Sequence, residues 1–380
     1  MSLGNQKHLF DIPEGITYLN CASQTPCLIA SAEAGRRGVD RKFHPWSPDR
    51  ANVGQEKEAC RALFASLIGA TGEDVALTAS TSFGIAAAAR NLSVRKGQEI
   101  VLLEGQFPSN YYAWRKVAER DGGILRVVAR PDDFDWTSAV LEAIGPETGL
   151  VSLPNCHWTD GSLVELERIG PVCRERGIPL VVDATQTVGA VKTDVAVIQP
   201  AFMTVSAYKW LLSPDLMAFM YVAPDYQDGV PVEDNHQGRG DVPSMEYTPG
   251  YSDTYAPGAR RFDMGAADSM ILLPICKAAL EQVNAWGPAA IQESLRVLTD
   301  AIAERAEAIG LIVPPRHQRV GNFIGLRSRT ALPEGLLDHL RGEGVHVALR
   351  GGAIRVSPYL FNDLADVDRL FDVLEPALRG

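Results

Sequence analysis

The sequence predicts an α/β protein, with a large domain on a seven-stranded, mostly parallel sheet followed by a smaller α+β domain. Three observations predict it. Short apolar runs recur between residues 75 and 222, and the first five are separated by segments suited to helical crossovers, as in a parallel sheet covered on both faces. The last two runs are joined by about a dozen residues containing Ser213-Pro214-Asp215, with little room for a crossover helix, so the final strand should be antiparallel. Beyond a Pro-, Gly- and Asp-rich stretch over 224–262, the pattern changes to two helices and three short strands.

Residues 1–50 carry Pro13, Pro26, Pro45 and Pro48 and one strand-like run, Ile16-Thr17-Tyr18-Leu19, leading to Asn20. The rest of this segment is expected to be irregular and to pack on the small domain or on a partner subunit. A helix is expected over about 55–68, stopped by Gly69. Strands follow at 75–78, 99–103, 124–128, 149–153, 179–183, 202–206 and 218–222, with helical segments such as 82–91, 108–121 and 164–176 between them. After the 224–262 loops, two helical patterns fill about 268–309, punctuated by Gly287-Pro288, and short strands are expected at 321–328, 345–349 and 353–357. A closing helix runs from Asp363 to Leu378, capped by Asn362 or Asp363. This divides the chain into a segment 1–50, a large domain 51–262 and a small domain 263–380.

Composition narrows the function classes. Of the 380 residues, 46% are hydrophobic and 22% charged, enough for sizeable cores in two domains. A net charge of −11 argues against a nucleic-acid surface or an anionic membrane as partner. No apolar run is long enough to span a bilayer, and the start MSLGNQKHLF lacks the apolar core of a signal peptide, so a cytoplasmic protein is expected. The six cysteines form no C-x-x-C pair, which favours reduced core thiols over a metal site or a disulfide framework.

Six stretches carry chemistry. AFMTVSAYKWLLSPDL, from Ala201 to Leu216, is an apolar strand that delivers Ser206, Tyr208 and Lys209 beside Trp210. A partly desolvated lysine loses its proton more easily and can then attack a carbonyl to form a Schiff base; the plainer reading is a strand-end lysine in water. Thr78-Ala79-Ser80-Thr81-Ser82-Phe83-Gly84 precedes an Ala-rich helix and suits a phosphate, or is an ordinary N-cap. In Glu104-Gly105-Gln106-Phe107-Pro108-Ser109-Asn110, Phe107 can form a wall for an aromatic ring and Asn110 can donate a hydrogen bond. Asp183 ends an apolar strand and can hold a proton on a heterocyclic nitrogen, with Gln186 near a ring oxygen; an N-cap aspartate is the alternative. His157, in Asn155-Cys156-His157-Trp158-Thr159-Asp160-Gly161, is a substrate contact or acid/base group, or else a polar turn residue. Finally, Arg355 lies between apolar strand residues and wants a carboxylate, from a substrate or from an internal ion pair. A phosphate, a ring with a protonated nitrogen, a Schiff-base aldehyde and an α-carboxylate together describe pyridoxal 5′-phosphate joined to an amino acid.

With these motifs the chain resembles the class V aminotransferases of the fold type I pyridoxal-phosphate enzymes, the group of cysteine desulfurases, kynureninase and isopenicillin N epimerase. The resemblance runs through ITYLNCASQTP, TASTSFGI, EGQFPSN, LPNCHWTDGS, VVDATQTVG, SAYKWLLSPD, ARRFDMG and AIRVSPYLFNDLADVDRL. It implies Lys209 as the internal-aldimine lysine and proton carrier, and Asp183 as partner of the pyridinium nitrogen. Gln186 is implied at the ring hydroxyl, and Thr81, Ser82, Ser206 and Tyr208 at the phosphate. Phe107 would stack on the ring, and Arg355 would clamp the substrate carboxylate, with His157 and Asn20 as further substrate contacts. It also implies a homodimer with shared active sites, reached by the 224–262 loops. The chain departs from the family at Ser213-Pro214-Asp215, where a glycine-containing turn is usual, at Ala266-Ala267, where many members have Thr or Asn, and at Gln186, often His in kynureninase-like members. No cysteine follows Cys276, so the nucleophile that cysteine desulfurases need ahead of the substrate arginine is missing. The expected activity is amino transfer from a small amino acid, forming a keto acid. The alternatives are a kynureninase-like hydrolase, another lyase or an epimerase on the same cofactor, or a binding protein that kept only the fold.

Overall fold

The computed structural model describes residues 2–46, 52–240 and 250–379. In chain order the elements are β1 (Thr17–Tyr18), α1 (Ile29–Phe43), α2 (Val53–Ile68), β2 (Val75–Thr78), α3 (Thr81–Asn91), β3 (Glu99–Leu103), α4 (Pro108–Asp121), β4 (Ile124–Val128), α5 (Trp136–Ala143) and β5 (Thr148–Pro154). There follow α6 (Leu166–Glu175), β6 (Leu180–Asp183), the single turn α7 (Val195–Ile198), β7 (Phe202–Ser206) and β8 (Ala218–Val222). The last third contains α8 (Leu272–Trp286), α9 (Pro288–Ala308), β9 (Ile324–Arg327), α10 (Leu336–Gly342), β10 (Val345–His346), β11 (Ala348–Arg350), β12 (Ala353–Val356) and α11 (Leu364–Arg379).

The seven-stranded sheet has the order β2-β8-β7-β6-β5-β3-β4. Only β8 runs against its neighbours β2 and β7, as the short 207–217 connection demands. Side chains alternate between faces, so two cores form. Leu77, Val101, Leu103, Val151, Val182, Met203, Val205 and Phe219 pack on the α2 and α8 side, and Ala76, Ile100, Leu102, Leu150, Val181, Phe202 and Met220 on the α3 and α4 side. A third core gathers Leu298, Ile302, Ile324, Leu326, Ile354, Val356, Leu370 and Leu374 around the antiparallel sheet β11-β12-β9. The parallel pair β1–β10 stitches the N-terminal segment to this last region.

The N-terminal segment departs from expectation. Instead of irregular chain, it contains the 15-residue helix α1, whose buried stripe is Ser31, Ala34, Gly35 and Gly38. Those small residues let α1 lie against α8: a methyl at Gly35 would fall 2.7 Å from Ile275 Cδ1, and one at Gly38 2.3 Å from the Met270 carbonyl oxygen. A stripe without large apolar residues leaves no helical period to read. Pro48, the residue-51 boundary and the centre of the 224–262 stretch, residues 241–249, lie outside the described residues. The described flanks hold short 3₁₀ turns at Pro224–Tyr226, His236–Gly238 and Gly258–Phe262. Among the described residues no helix is long and apolar enough to cross a membrane.

Candidate active site

Strands β2, β3, β5, β6 and β7 point the same way, so the residues after Thr78, Leu103, Pro154, Asp183 and Ser206 emerge along one edge of the sheet. Ligands of such sheets bind beyond the carboxyl ends of the strands. The cleft there is lined by Thr81, Phe107, Asp183, Gln186, Ser206, Tyr208 and Lys209, all singled out in the sequence. Gln106, Asn110, Pro154, Cys156, Trp158 and Thr185 complete the lining.

Lys209 follows β7 in a tight turn and is only 8% exposed. Burial, reinforced by the Arg355 charge and opposed by Asp183, pulls its ammonium down from 10.5 to about 8, so the free amine is accessible near neutral pH. Where the family has a glycine-containing turn, Leu212 and Leu216 take left-handed backbone conformations, φ 55° and 63°. Each costs about 1–2 kcal/mol for a residue with a side chain, so the turn behind the lysine is held by its surroundings. The Ser213 N–H donates to the Ala207 carbonyl at 3.0 Å, and the Ser213 hydroxyl reaches Cys276 Sγ at 3.4 Å.

Asp183 sits at the end of β6, opposite Thr204 of β7 and Pro154 of β5. One of its oxygens accepts from the Thr185 N–H at 3.1 Å. Burial raises its carboxyl above the ordinary range despite the Thr185 contacts and the Lys209 charge, so the group wants a further positive partner from the cleft. Thr81, at the first turn of α3, shares its hydroxyl with Thr185 Oγ1 and Ser206 Oγ, both at 2.7 Å, and its N–H lies 3.3 Å from Ser206 Oγ. Gly84 permits this: a methyl there would fall 2.4 Å from Thr204 Oγ1, so only glycine lets α3 approach β7. Three hydroxyls thus converge at the N-terminus of an 11-residue helix, where partial positive charge accumulates.

Gln186 is clamped: its amide nitrogen donates to the Ala22 carbonyl and its oxygen accepts from the Trp210 indole, both at 3.0 Å, which leaves one N–H for a ligand. Asn110 accepts from Trp114 Nε1 at 3.0 Å and the Ser152 hydroxyl at 2.9 Å, while its buried amide nitrogen has no partner. Phe107, 41% exposed, meets Trp158 edge to face at 5.5 Å. The Trp158 indole donates to the Gly105 carbonyl at 2.8 Å, and its own carbonyl accepts from Arg355 Nη1 at 2.9 Å. Arg355, 2% exposed, also donates from Nη2 to Ser23 Oγ at 2.7 Å, and its Nε has no partner. No carboxylate pairs with Arg355 among the described residues, so the internal ion pair is not what holds this arginine. Asn20 pairs by its backbone with Ser357, two residues from Arg355, and its buried Oδ1 has no partner.

One expectation is corrected. His157 does not line the cleft. It is 1% exposed and stacked on Trp136 at 5.3 Å. Its Nδ1 faces Thr159 Oγ1 at 2.7 Å and Arg130 Nη2 at 3.0 Å, and its Nε2 faces the Glu104 carbonyl at 3.0 Å. Burial pulls it down to about 4, so it is a neutral structural imidazole rather than a substrate contact or acid/base group. Ser82 is exposed and pairs with the Ser80 hydroxyl at 2.9 Å, and Ser80 is the N-cap of α3. Sequence reasoning also missed Thr185, whose only signal is its place inside the Asp183-x-x-Gln186 motif.

The model of the family described as "Aminotransferase class-V" matches residues 47–370. The chain belongs to the class V aminotransferases. An uncharacterised aminotransferase of Schizosaccharomyces pombe is 24% identical over 97% of this chain and 94% of its own length. An isopenicillin N epimerase of Streptomyces clavuligerus is 26% identical over 84% of each chain. An apo cysteine desulfurase structure from Thermococcus onnurineus superposes with a TM-score of 0.85 at 18% identity, covering 100% of both chains, and the cystine C–S lyase C-DES superposes with 0.84 at 17% identity, covering 95% of this chain and 97% of that one. These likenesses establish the fold, which is the fold type I architecture.

The cofactor of this enzyme class is pyridoxal 5′-phosphate, and the cleft fits it. The hydroxyl cluster at the α3 N-terminus suits a phosphate, the buried Asp183 carboxylate suits a ring N–H, and the unpartnered Asn110 amide and spare Gln186 N–H suit ring oxygens. Lys209 supplies the amine that an aldehyde requires.

Proposed function

We propose that the protein is an aminotransferase that takes the amino group of a small amino acid and releases the keto acid. The observation that carries this reading is Lys209 itself, the one cleft-lining amine among the described residues, shifted by burial to about 8. Bound pyridoxal phosphate supplies the electron sink that acidifies the substrate Cα proton. Lys209 would be the base that takes this proton from Cα. Asp183 holds the ring nitrogen's proton, Thr81, Thr185 and Ser206 anchor the phosphate, and Phe107 covers the ring. Arg355, with Asn20 beside its strand, binds the α-carboxylate and so fixes which Cα–H faces Lys209. Trp158 and Phe107, edge to face at 5.5 Å, form an aromatic part of the cleft lining.

Amino transfer needs one proton carrier, and the cleft provides one. His157 is turned away, and burial pushes both the Cys156 thiol and the Tyr208 hydroxyl up, away from neutral titration. Desulfuration by a protein thiol is disfavoured because no cysteine follows Cys276. Epimerisation is the second reading, favoured by the similarity to isopenicillin N epimerase, and it calls for a proton donor on the opposite face of Cα, for which Tyr208 is the candidate. Lyase or kynureninase-like hydrolase chemistry would use the same Lys209. We also propose a cytoplasmic homodimer. Phe43, Trp46, Leu216 and Tyr251 are 71%, 78%, 68% and 103% exposed, large apolar side chains that a partner subunit would cover.

The deciding experiment is a visible–ultraviolet spectrum of the holoenzyme during titration with single amino acids, with keto-acid release assayed in parallel. Conversion of the cofactor band to its amine form with stoichiometric keto acid is expected. A persistent band while the substrate loses chirality or fragments would replace amino transfer by epimerisation or lyase chemistry.

A further inference from the structure

We propose that Asp160 is a positioning residue of this cleft: its carboxylate, shared by Arg130 and Arg327, pins the 157–163 loop between two sheets and so holds Trp158 in the cleft wall. This role concerns the cleft described above and does not depend on which reaction the cleft performs.

The loop follows β5 and carries Trp158 two residues before Asp160. Its far side is docked on the last third of the chain. The Leu163 N–H donates to the Gln318 carbonyl at 2.8 Å, the Val320 N–H to the Gly161 carbonyl at 2.9 Å and the Gly325 N–H to the Asp160 carbonyl at 3.0 Å. Glycine permits the approach from both sides. A methyl at Gly325, on β9, would fall 2.5 Å from Asp160 Cβ, and one at Gly161, whose φ is 77°, would fall 2.7 Å from the Phe323 carbonyl oxygen. The Asp160 side chain closes this seam at 0% exposure. Its Oδ1 stays within the loop, accepting from the Ser162 N–H at 3.1 Å and the Ser162 hydroxyl at 2.7 Å. Its Oδ2 accepts from Arg130 Nη1 at 2.6 Å and from Arg327 Nη2 at 2.9 Å. Arg130 follows β4 of the seven-stranded sheet, and Arg327 ends β9 of the antiparallel sheet. One carboxylate oxygen thus joins the two sheets through the loop.

Each arginine carries the tie further. Arg130 Nη2 lies 3.0 Å from His157 Nδ1 and 3.2 Å from Thr159 Oγ1, the residues on either side of Trp158, and its guanidinium lies 5.2 Å from the Trp136 ring. Arg327 Nη1 donates to the Gly351 carbonyl at 3.1 Å, in the turn between β11 and β12. Burial would raise the Asp160 carboxyl, but Arg130, His157, Ser162 and Arg327 hold it below the ordinary carboxylate range, so the cluster is ionised. A buried carboxylate between arginines is a poor source of stability, because well-packed apolar residues of similar volume often serve as well; its better-attested use is to fix one arrangement of the parts it joins. The part that reaches the cleft here is Trp158. Thr81, Asp183, Ser206 and Lys209 lie on other segments, at the start of α3 and the ends of β6 and β7, so the pin bears on Trp158 rather than on them.

The test is amide hydrogen exchange of the wild type, Arg327→Gln and Arg327→Lys, each with and without pyridoxal phosphate. In Arg327→Gln the N–H groups of Leu163, Val320 and Gly325 are expected to exchange about tenfold faster, while those of Val182 and Met203 in the large sheet keep their rates. Acrylamide quenching, taken as the difference between each protein and its Trp158→Phe counterpart, isolates the Trp158 emission and should rise about twofold in Arg327→Gln. Arg327→Lys keeps the charge beside Asp160 and loses only the fork that also reaches Gly351, so its seam rates should return to within about threefold of the wild type. Asp160→Asn, which weakens both arms, should exceed Arg327→Gln in both readouts. Affinity for pyridoxal phosphate, read from its visible band, should stay within about threefold in Arg327→Gln. Unchanged exchange at the seam or unchanged Trp158 quenching would overturn the inference. So would a rise shared equally by Val182 and Met203, which would make the cluster a stability element alone. Failure of the wild type to acquire the cofactor band would overturn the cofactor reading of the cleft and leave the exchange and quenching results standing.

Discussion

The two most deeply buried arginines among the described residues are Arg61 at 1% and Arg355 at 2% exposure, and the protein treats them in opposite ways. Arg61, on α2, meets the buried Asp263 through two hydrogen bonds of 3.1 and 2.7 Å, reaches Glu58 at 3.2 Å and donates to the Val75 carbonyl. Asp263 in turn accepts from the Leu77 N–H at 2.8 Å. Burial alone would lower the Arg61 guanidinium, but Asp263 and Glu58 more than offset it, and the net shift is upward. Arg355 has no such partner among the described residues, and burial with Arg350 lowers it to about 10. The same residue type at the same depth is thus satisfied within the fold in one place and left short of a counter-ion in the other. The first ties α2 to β2 and to the Gly258–Phe262 turn; the second is an offer to a ligand.

That contrast can be broken by mutation. Arg61→Met strands the buried Asp263 carboxylate and should destabilise the protein by about 3–5 kcal/mol. Guanidinium unfolding checks this, and a loss below about 1 kcal/mol would mean that the pair is not structural. Arg355→Gln should do the reverse. Stability should stay within about 1 kcal/mol, because an unbalanced buried charge is removed, while kcat/KM should fall about 10²–10³-fold as the substrate carboxylate loses its fork. Equal losses of stability in the two variants would dissolve the comparison.

Two titrations sharpen it. Lys209 is held at about 8 against 10.5 for the ordinary group. Between these values the unfolded chain binds the proton and the folded apoprotein does not, so apoprotein stability should rise with pH from about 8 to 10.5, by up to about 3 kcal/mol. Lys209→Met should flatten that rise and abolish turnover; denaturant midpoints measured across the window decide it. His157 is held at about 4 against 6.5. Its contribution is complete above 6.5 and lost as pH falls towards 4, and His157→Gln should remove about 2–3 kcal/mol of that acid sensitivity. A kcat pH profile moved by His157→Gln would return the imidazole to the chemistry.

Much of this was legible because each strand of a parallel sheet is a continuous apolar run that ends in a polar turn. The ends of β2, β6 and β7 therefore announce Thr81, Asp183, Gln186, Ser206 and Lys209 directly. Phe107 and Arg355 could be picked out for similar reasons, an aromatic ring after a strand and a charge between apolar neighbours. The helix α1 could not, since its buried face is made of serine, alanine and glycine. Nor could His157 be told from a cleft residue. It follows the same strand as Trp158, one position away, and alternation about a tight turn sends one side chain into the cleft and the other onto Trp136.

The sequence by itself determined the sheet, the antiparallel last strand, the class of cofactor and the lysine after β7, because each is written in local pattern or in a short motif. Only the tertiary structure decided which hydroxyls meet Thr81, which ring turns inward after β5, and that Arg355 meets a carbonyl and a hydroxyl but no carboxylate among the described residues while Arg61 meets Asp263. Those are relations between residues as far apart as Ser23 and Arg355, or Arg61 and Asp263. Burial and the counting of partners exist only once distant segments are packed together.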